Sequence, residues 1–217
     1  MNTKQKLLQE VSFFSEKCFA PRNHFVCVYG SYMSGHHTEK SDMDMFIAIE
    51  TRDEEDFKKV RDFLVDLHIR YGLNLDDEVP YENKILVSYT DIQRAIALDS
   101  FIKNGERYRV PLVKKDKGFL SSLEIRWRLI LNALTSPHEC IYGNKELYTM
   151  FKNGAEESIV RLARGIIRNS RPTPRELLRV LMFGANGEEG EMYLGYKKEH
   201  SAVIEYLENI IKRHYPI

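Results

Sequence analysis

Two short runs set the architecture of this 217-residue chain: Phe25-Val26-Cys27-Val28-Tyr29-Gly30-Ser31, and, after a polar loop, Asp42-Met43-Asp44-Met45-Phe46-Ile47-Ala48-Ile49. Each contains an apolar stretch of strand length. The first closes on a tight Gly-Ser turn. The second opens on a pair of aspartates. Successive strand side chains point to opposite faces, so Asp42 and Asp44 share one face while Met43, Met45 and Ile47 share the other. A lone Asp-x-Asp is usually a solvated strand face, and a lone Gly-Ser usually a turn. Together, each joined to its own apolar strand, they suit a site that holds Mg²⁺ against a nucleotide triphosphate. Mg²⁺ takes one or two protein carboxylates and completes its octahedron with phosphate oxygens and water.

The surrounding sequence predicts a mixed core. Residues 4–20 read as a helix, with Leu7, Leu8, Val11 and Phe14 at helical spacing, and Pro21 ends it. The two runs predict strands at about 24–29 and 43–49, with a turn, a short helix and a polar loop over 30–40 between them. Asp53 to Arg70 reads as a second helix, with Phe57, Val60, Phe63, Leu64 and Leu67 on one stripe and Tyr71-Gly72 as its stop. A third strand is expected over 73–79, a fourth over 84–89, and a helix over 91–101. Beyond that the pattern turns helical: 120–134, 144–153, 155–169, 174–183 and 197–213, separated by Pro137, Gly154, Pro172 and the glycine-rich stretch 184–195. The expected fold is therefore α+β, an α/β core sheet over residues 1–100 followed by an all-helical domain over 101–217, of which residues 117–217 are expected to close over the sheet's acidic face.

The assembled string reads Gly30-Ser31-Tyr32-Met33-Ser34-Gly35, five residues, then Ser41-Asp42-Met43-Asp44. It resembles the signature Gly-Ser-x₃-Gly-x₅-Ser-Asp-x-Asp of the polymerase-beta-like nucleotidyltransferase superfamily, above all that of the small antibiotic-modifying and minimal nucleotidyltransferases. The resemblance extends over about residues 23–90, and the expected order of helices and strands matches the superfamily's core topology. It implies that Asp42 and Asp44 are catalytic and hold the metal, that ATP or another nucleoside triphosphate is the co-substrate, and that Gly30, Ser31 and Ser41 belong to the nucleotide-binding set. It also implies a third acid from the next core strand. Asp76, Asp77 and Glu78 are available there; Leu73, Leu75 and Val79 share the core parity, which leaves Asp76 and Glu78 for the site. Glu78-Val79 resembles the acid-then-valine step of antibiotic adenylyltransferases, so Glu78 is favoured as the catalytic base or a further metal ligand, with Asp76 as the alternative.

Composition narrows the partners. Lys plus Arg equals Asp plus Glu, at 32 each, so the formal charge is zero, and proteins that live on a nucleic-acid backbone usually carry a basic excess. The neutral balance favours a small-molecule hydroxyl acceptor over tRNA. The competing readings are a toxin-like nucleotidyltransferase acting on tRNA or protein, and a non-catalytic nucleotide-binding module. The intact motif speaks against the last. Arg161, Arg164, Arg168, Arg171, Arg175 and Arg179, at spacings of three and four, form either a solvated helix face or a functional one, a triphosphate clamp or an RNA-facing patch, and Lys145 and Lys152 offer the same choice. Tyr193 and Tyr196 are either core residues or acceptor-pocket residues, and His36-His37 are loop residues. Three widely spaced cysteines, Cys18, Cys27 and Cys140, are expected to be reduced thiols in a cytoplasmic protein. No apolar stretch approaches the ~20 residues of a membrane span, and the polar start Met1–Lys6 lacks the apolar core of a signal peptide.

Overall fold

The computed structural model describes residues 3–39, 41–74, 85–97, 130–131, 133–170 and 201–214. They belong to two units, one comprising Met1–Ile92 with Pro137–Phe151, the other Gln93–Ser136 with Lys152–Ile217.

The first unit is a four-stranded sheet backed by two helices. Helix α1 (Thr3–Phe19) buries Leu7, Val11, Ser15 and Phe19, one residue per turn, and ends two residues before Pro21. Strand β1 (His24–Val28) leads through a four-residue helix α2 (Ser31–Ser34) and a loop into β2 (Met45–Ile49). Helix α3 (Glu54–Tyr71) follows. The Asp53 side chain caps its start by accepting from Asp56 N–H at 2.7 Å, three acids fill its first turn, and Gly72 at φ 64° closes it. Both ends thus satisfy backbone groups that the helix itself leaves unpaired. The short strand β3 (Leu86–Ser88) runs directly into α4 (Tyr89–Ile96).

The strand order is β3-β2-β1-β4, with β1 antiparallel to β2 and β4, and β2 parallel to β3. Strand β4 (Glu139–Gly143) comes from the part of the sequence expected to be all helical. Its five residues are too few to announce a strand by themselves; pairing with β1 makes them one. The strand expected at 84–89 is β3, and most of the one expected at 73–79 lies outside the described residues.

The two faces of the sheet divide as the parity argument requires. Val26, Val28, Met43, Met45, Ile47, Ile49 and Leu86 pack with Leu7, Val11 and Phe19 of α1 and with Phe57, Val60, Leu64 and Leu67 of α3. A stacked Phe14–Phe63 pair at 3.9 Å joins the two helices. On the other face, Phe25 meets Phe46 at 6.1 Å and Tyr148 and Phe151 at 5.8 and 6.1 Å. Those last two residues lie at the start of α5 (Lys145–Ser170).

The second unit holds the rest of α5 and α6 (Ser201–His214). Helix α5 passes through Gly154, where a break between two helices was expected. Glycine costs a helix interior about 1 kcal/mol relative to alanine, too little to interrupt a long helix. It is also used here: a Cβ at Gly154 would lie 3.0 Å from Ile96 Cδ1. The helix expected over 120–134 is described only at its end, around Ile130-Leu131 and Ala133-Leu134, and the one expected over 174–183 lies outside the described residues.

Candidate active site

Val28 of β1 pairs with Met45 of β2, so the end of one strand lies beside the start of the other. The Gly-Ser turn and the aspartates continue from these two ends. Tyr29 N–H donates to Asp44 C=O at 3.0 Å and carries the contact beyond the regular ladder. The chain then bends at Gly30, at φ 69° and ψ −148°, a conformation that L side chains rarely adopt. A Cβ at this position would lie 2.1 Å from Asp44 Oδ2 and 2.8 Å from Asp44 Cγ. Glycine is needed twice over, for its backbone angle and for the room it leaves the carboxylate. The Gly30 carbonyl accepts from Met33 and Ser34 N–H at 3.1 and 3.0 Å, which starts α2, and Gly35 in the left-handed region ends it.

Ser31, the first residue of α2, has a buried hydroxyl oxygen with no hydrogen-bond partner among the described residues. Buried hydroxyls are nearly always paired, and an unpaired one marks a strain reservoir, a functional group or a missing ligand. Ser41 is engaged differently. Its hydroxyl accepts from Thr38 N–H at 2.8 Å and lies 3.3 Å from Thr38 Oγ1, while its own N–H donates to Thr38 C=O at 3.1 Å. Ser41 thereby closes the loop that delivers the aspartates.

Asp42 and Asp44 are half-buried and Met43 between them is buried. The alternation expected of a strand holds, although the aspartates belong to the coil that feeds β2, which itself begins at Met45. Two neighbours were not foreseen. Burial pushes the Tyr32 phenol above its ordinary pKa, and the Asp42 charge pushes it further in the same direction. His68 of α3 accepts the Met43 N–H on Nε2 at 3.1 Å. The signal for His68 was present in the sequence, as a polar residue on the apolar stripe of α3 next to Leu64 and Leu67.

A family model of the nucleotidyltransferase domain matches residues 4–114, just over half of the chain. The chain belongs to this family. No curated protein and no solved structure gives a significant match. This nucleotidyltransferase carries the motif's Gly30, Ser31, Asp42 and Asp44 at the joined ends of β1 and β2, inside the matched segment. The third acid expected there, Glu78 or Asp76, with Asp77, lies outside the described residues. Among the described residues no group of three or more His, Cys, Asp and Glu side chains is gathered for a metal ion.

Three of the basic residues considered for phosphate binding have structural partners. Lys145 Nζ donates to Cys140 C=O, Lys152 Nζ lies 3.7 Å from Glu156, and the Arg161 guanidinium donates to Ile96 C=O at 3.1 Å. Arg171, Arg175, Arg179, Tyr193 and Tyr196 lie outside the described residues, and the side chains of Arg164 and Arg168 are not described. His36 and His37 are loop residues as expected, and the His37 ring stacks on Tyr32 at 4.8 Å. Cys18, Cys27 and Cys140 are free thiols. No helix among the described residues is long and apolar enough to cross a membrane.

Proposed function

We propose that this nucleotidyltransferase is Mg²⁺-dependent and moves a nucleoside monophosphate, AMP from ATP, onto a hydroxyl of a small molecule such as an antibiotic or a biosynthetic metabolite. The observation that carries the reading is the pairing of an unpartnered buried Ser31 hydroxyl with a glycine cradle around the Asp44 carboxylate. A hydroxyl kept from water without a partner calls for a ligand that accepts its proton, and a triphosphate oxygen does so.

The residues fit a hard divalent cation. Asp42 and Asp44 supply carboxylate oxygens and stand half-buried at the end of the sheet, where phosphate oxygens and water would complete a Mg²⁺ octahedron. Bound there, Mg²⁺ supplies neutralisation of the triphosphate charge. The Ser31 hydroxyl and the backbone N–H groups of the Gly30-Ser31 turn hold phosphate oxygens. Glu78 takes the proton of the acceptor hydroxyl as its oxygen bonds to the α-phosphorus. The bond from the α-phosphorus to the bridging oxygen breaks, and pyrophosphate leaves. Residues 1–100 carry this chemistry, and the free thiols suit a cytoplasmic setting.

The test is incubation of the full chain with α-labelled ATP, Mg²⁺ and three acceptor pools: hydroxylated antibiotics and metabolites, total tRNA, and cell protein. Label on a small molecule, lost with EDTA and restored by Mg²⁺, supports the reading. Label only on tRNA or protein overturns the acceptor class and promotes the toxin-like alternative. No transfer to any pool from any of the four nucleoside triphosphates overturns the proposed reaction with these acceptors.

A further inference from the structure

The segment that carries the aspartates has no ladder of its own, since β2 begins only at Met45. Its hold on the fold comes from a few identifiable contacts. Tyr29 N–H binds Asp44 C=O on one side, and the Met43 side chain is buried in the core on the other. The backbone amide of the residue between the two carboxylates, Met43 N–H, donates to the His68 ring at 3.1 Å, and that residue is only 2% exposed.

The second nitrogen of the ring is engaged as well. His68 Nδ1 lies 2.7 Å from Leu64 C=O, one turn back in α3. A carbonyl can only accept, so Nδ1 carries the hydrogen; an amide N–H can only donate, so Nε2 is bare. Both ends of the ring are therefore committed, Nδ1 to the Leu64 carbonyl and Nε2 to the Met43 amide. Its backbone is committed too. His68 C=O accepts from Leu73 N–H at 2.9 Å and also receives the N–H of Gly72, the left-handed cap of α3. The ring thus connects the end of a capped helix to the loop between Asp42 and Asp44.

We propose that His68 is a positioning residue of the active site: by accepting the Met43 N–H it fixes the backbone from which Asp42 and Asp44 project, and so sets the distance at which the two carboxylates meet the metal–nucleotide. The inference rests on the metal-site reading above and assigns to the same site a determinant that lies outside the Gly-Ser and Asp-x-Asp motif. Groups that orient metal ligands without touching the metal typically change affinity or activity about 10–100-fold when removed.

Glutamine and asparagine separate this role from simple packing. His68→Gln places an amide oxygen near the position of Nε2, within reach of Met43 N–H. His68→Asn places one near Nδ1, short of it. Binding of Mn²⁺ with ATP is read by the electron paramagnetic resonance of free Mn²⁺, thermal melts confirm folding, and exchange of the Met43 amide is followed by hydrogen exchange on the full chain. The expected result is a Met43 amide protected in the wild type and in His68→Gln and released in His68→Asn, with Mn²⁺–ATP affinity falling about 10-fold or more in the Asn variant and within about 3-fold of wild type in the Gln variant. Equal affinity in wild type and His68→Asn overturns the proposal, as does a Gln variant no better than the Asn variant. A Met43 amide that exchanges freely in the wild type overturns it without any variant. A wild-type chain that binds no Mn²⁺–ATP is a separate failure: it removes the metal-site reading and the His68 role with it.

Discussion

Gly30 and Asp44 occupy nearly the same space: a single methyl group on Gly30 would stand 2.1 Å from the Asp44 Oδ2 atom. Gly30→Ala must therefore move the carboxylate, and it also places a side chain at φ 69°. The backbone strain alone costs roughly 1–3 kcal/mol. The expected outcome is a folded protein with a modestly lowered melting temperature and nucleotidyl transfer reduced at least about 100-fold, the scale of losing one preorganised electrostatic group. Activity within a few-fold of wild type would show that the Asp44 carboxylate is not used where it stands.

Asp42→Asn and Asp44→Asn keep shape and remove charge. Each should reduce kcat by roughly 10²–10³-fold or more, with little change in stability because both side chains are half-buried at the end of the sheet. Steady-state rates at saturating ATP, alongside urea denaturation, separate the two effects. Undiminished turnover in either variant contradicts the metal assignment.

The third acid can be located by comparing two substitutions. Glu78→Gln is expected to lower kcat about 10²–10⁴-fold, the range of general acid–base catalysis, with ATP binding nearly unchanged. Parallel loss of Mg²⁺–ATP binding would make Glu78 a metal ligand instead. If Asp76→Asn does the damage and Glu78→Gln does not, Asp76 is the third acid and Glu78, which shares its parity, is not.

Tyr89 gives the fold an alkaline signature. Burial, and then the Glu50 charge, push its phenol up to about 12 against the opposing effect of Arg22. Its hydroxyl donates to Asn23 C=O at 2.5 Å. A phenol whose pKa is raised in the folded state stabilises the fold fully below the unfolded value of about 10, and loses that contribution as the pH rises through about 12. Titration at 295 nm should show one tyrosinate forming near pH 12 that is missing from Tyr89→Phe. A difference curve centred near pH 10 would contradict this environment.

Gly143 closes β4 against β1. Its φ is 94°, and a Cβ there would lie 2.2 Å from His24 O and 2.7 Å from Phe25 Cα. Backbone cannot step aside as a flexible side chain can. Gly143→Ala should destabilise the protein by about 3–5 kcal/mol, at the severe end of single substitutions, as measured by urea unfolding followed by circular dichroism. A loss below about 1 kcal/mol would mean that β4 does not seat on β1 at this register.

What could be read from the sequence followed from periodicity. Alternation in Met43-Asp44-Met45-Phe46-Ile47 placed the methionines in the core and left the aspartates half-buried outside it even though the aspartates lie outside the strand, because alternation is a property of extended backbone and not of the hydrogen-bond ladder. The stripe of α3 and its glycine stop were equally plain. Glu139–Gly143 was not legible, since a short edge strand takes its identity from a partner remote in sequence. The contact of His68 with Met43 was invisible for a similar reason: periodicity puts a residue on a face but does not say which backbone amide it meets there.

The position of β4 has a consequence for how the protein is made. Strand β1 bonds to β2 on one side and to β4 on the other, and β4 is synthesised long after both. Until residue 143 has emerged from the ribosome, β1 is a bare edge, five buried-type residues with one row of backbone groups open to any passing strand. The segment matched by the family ends at residue 114, so it holds the Gly-Ser and Asp-x-Asp motif but not the strand that seals the sheet. A fragment cut at that family boundary would therefore tend to aggregate, and a separately expressed first unit has to run on through Phe151, which also covers Phe25 on the other face of the sheet.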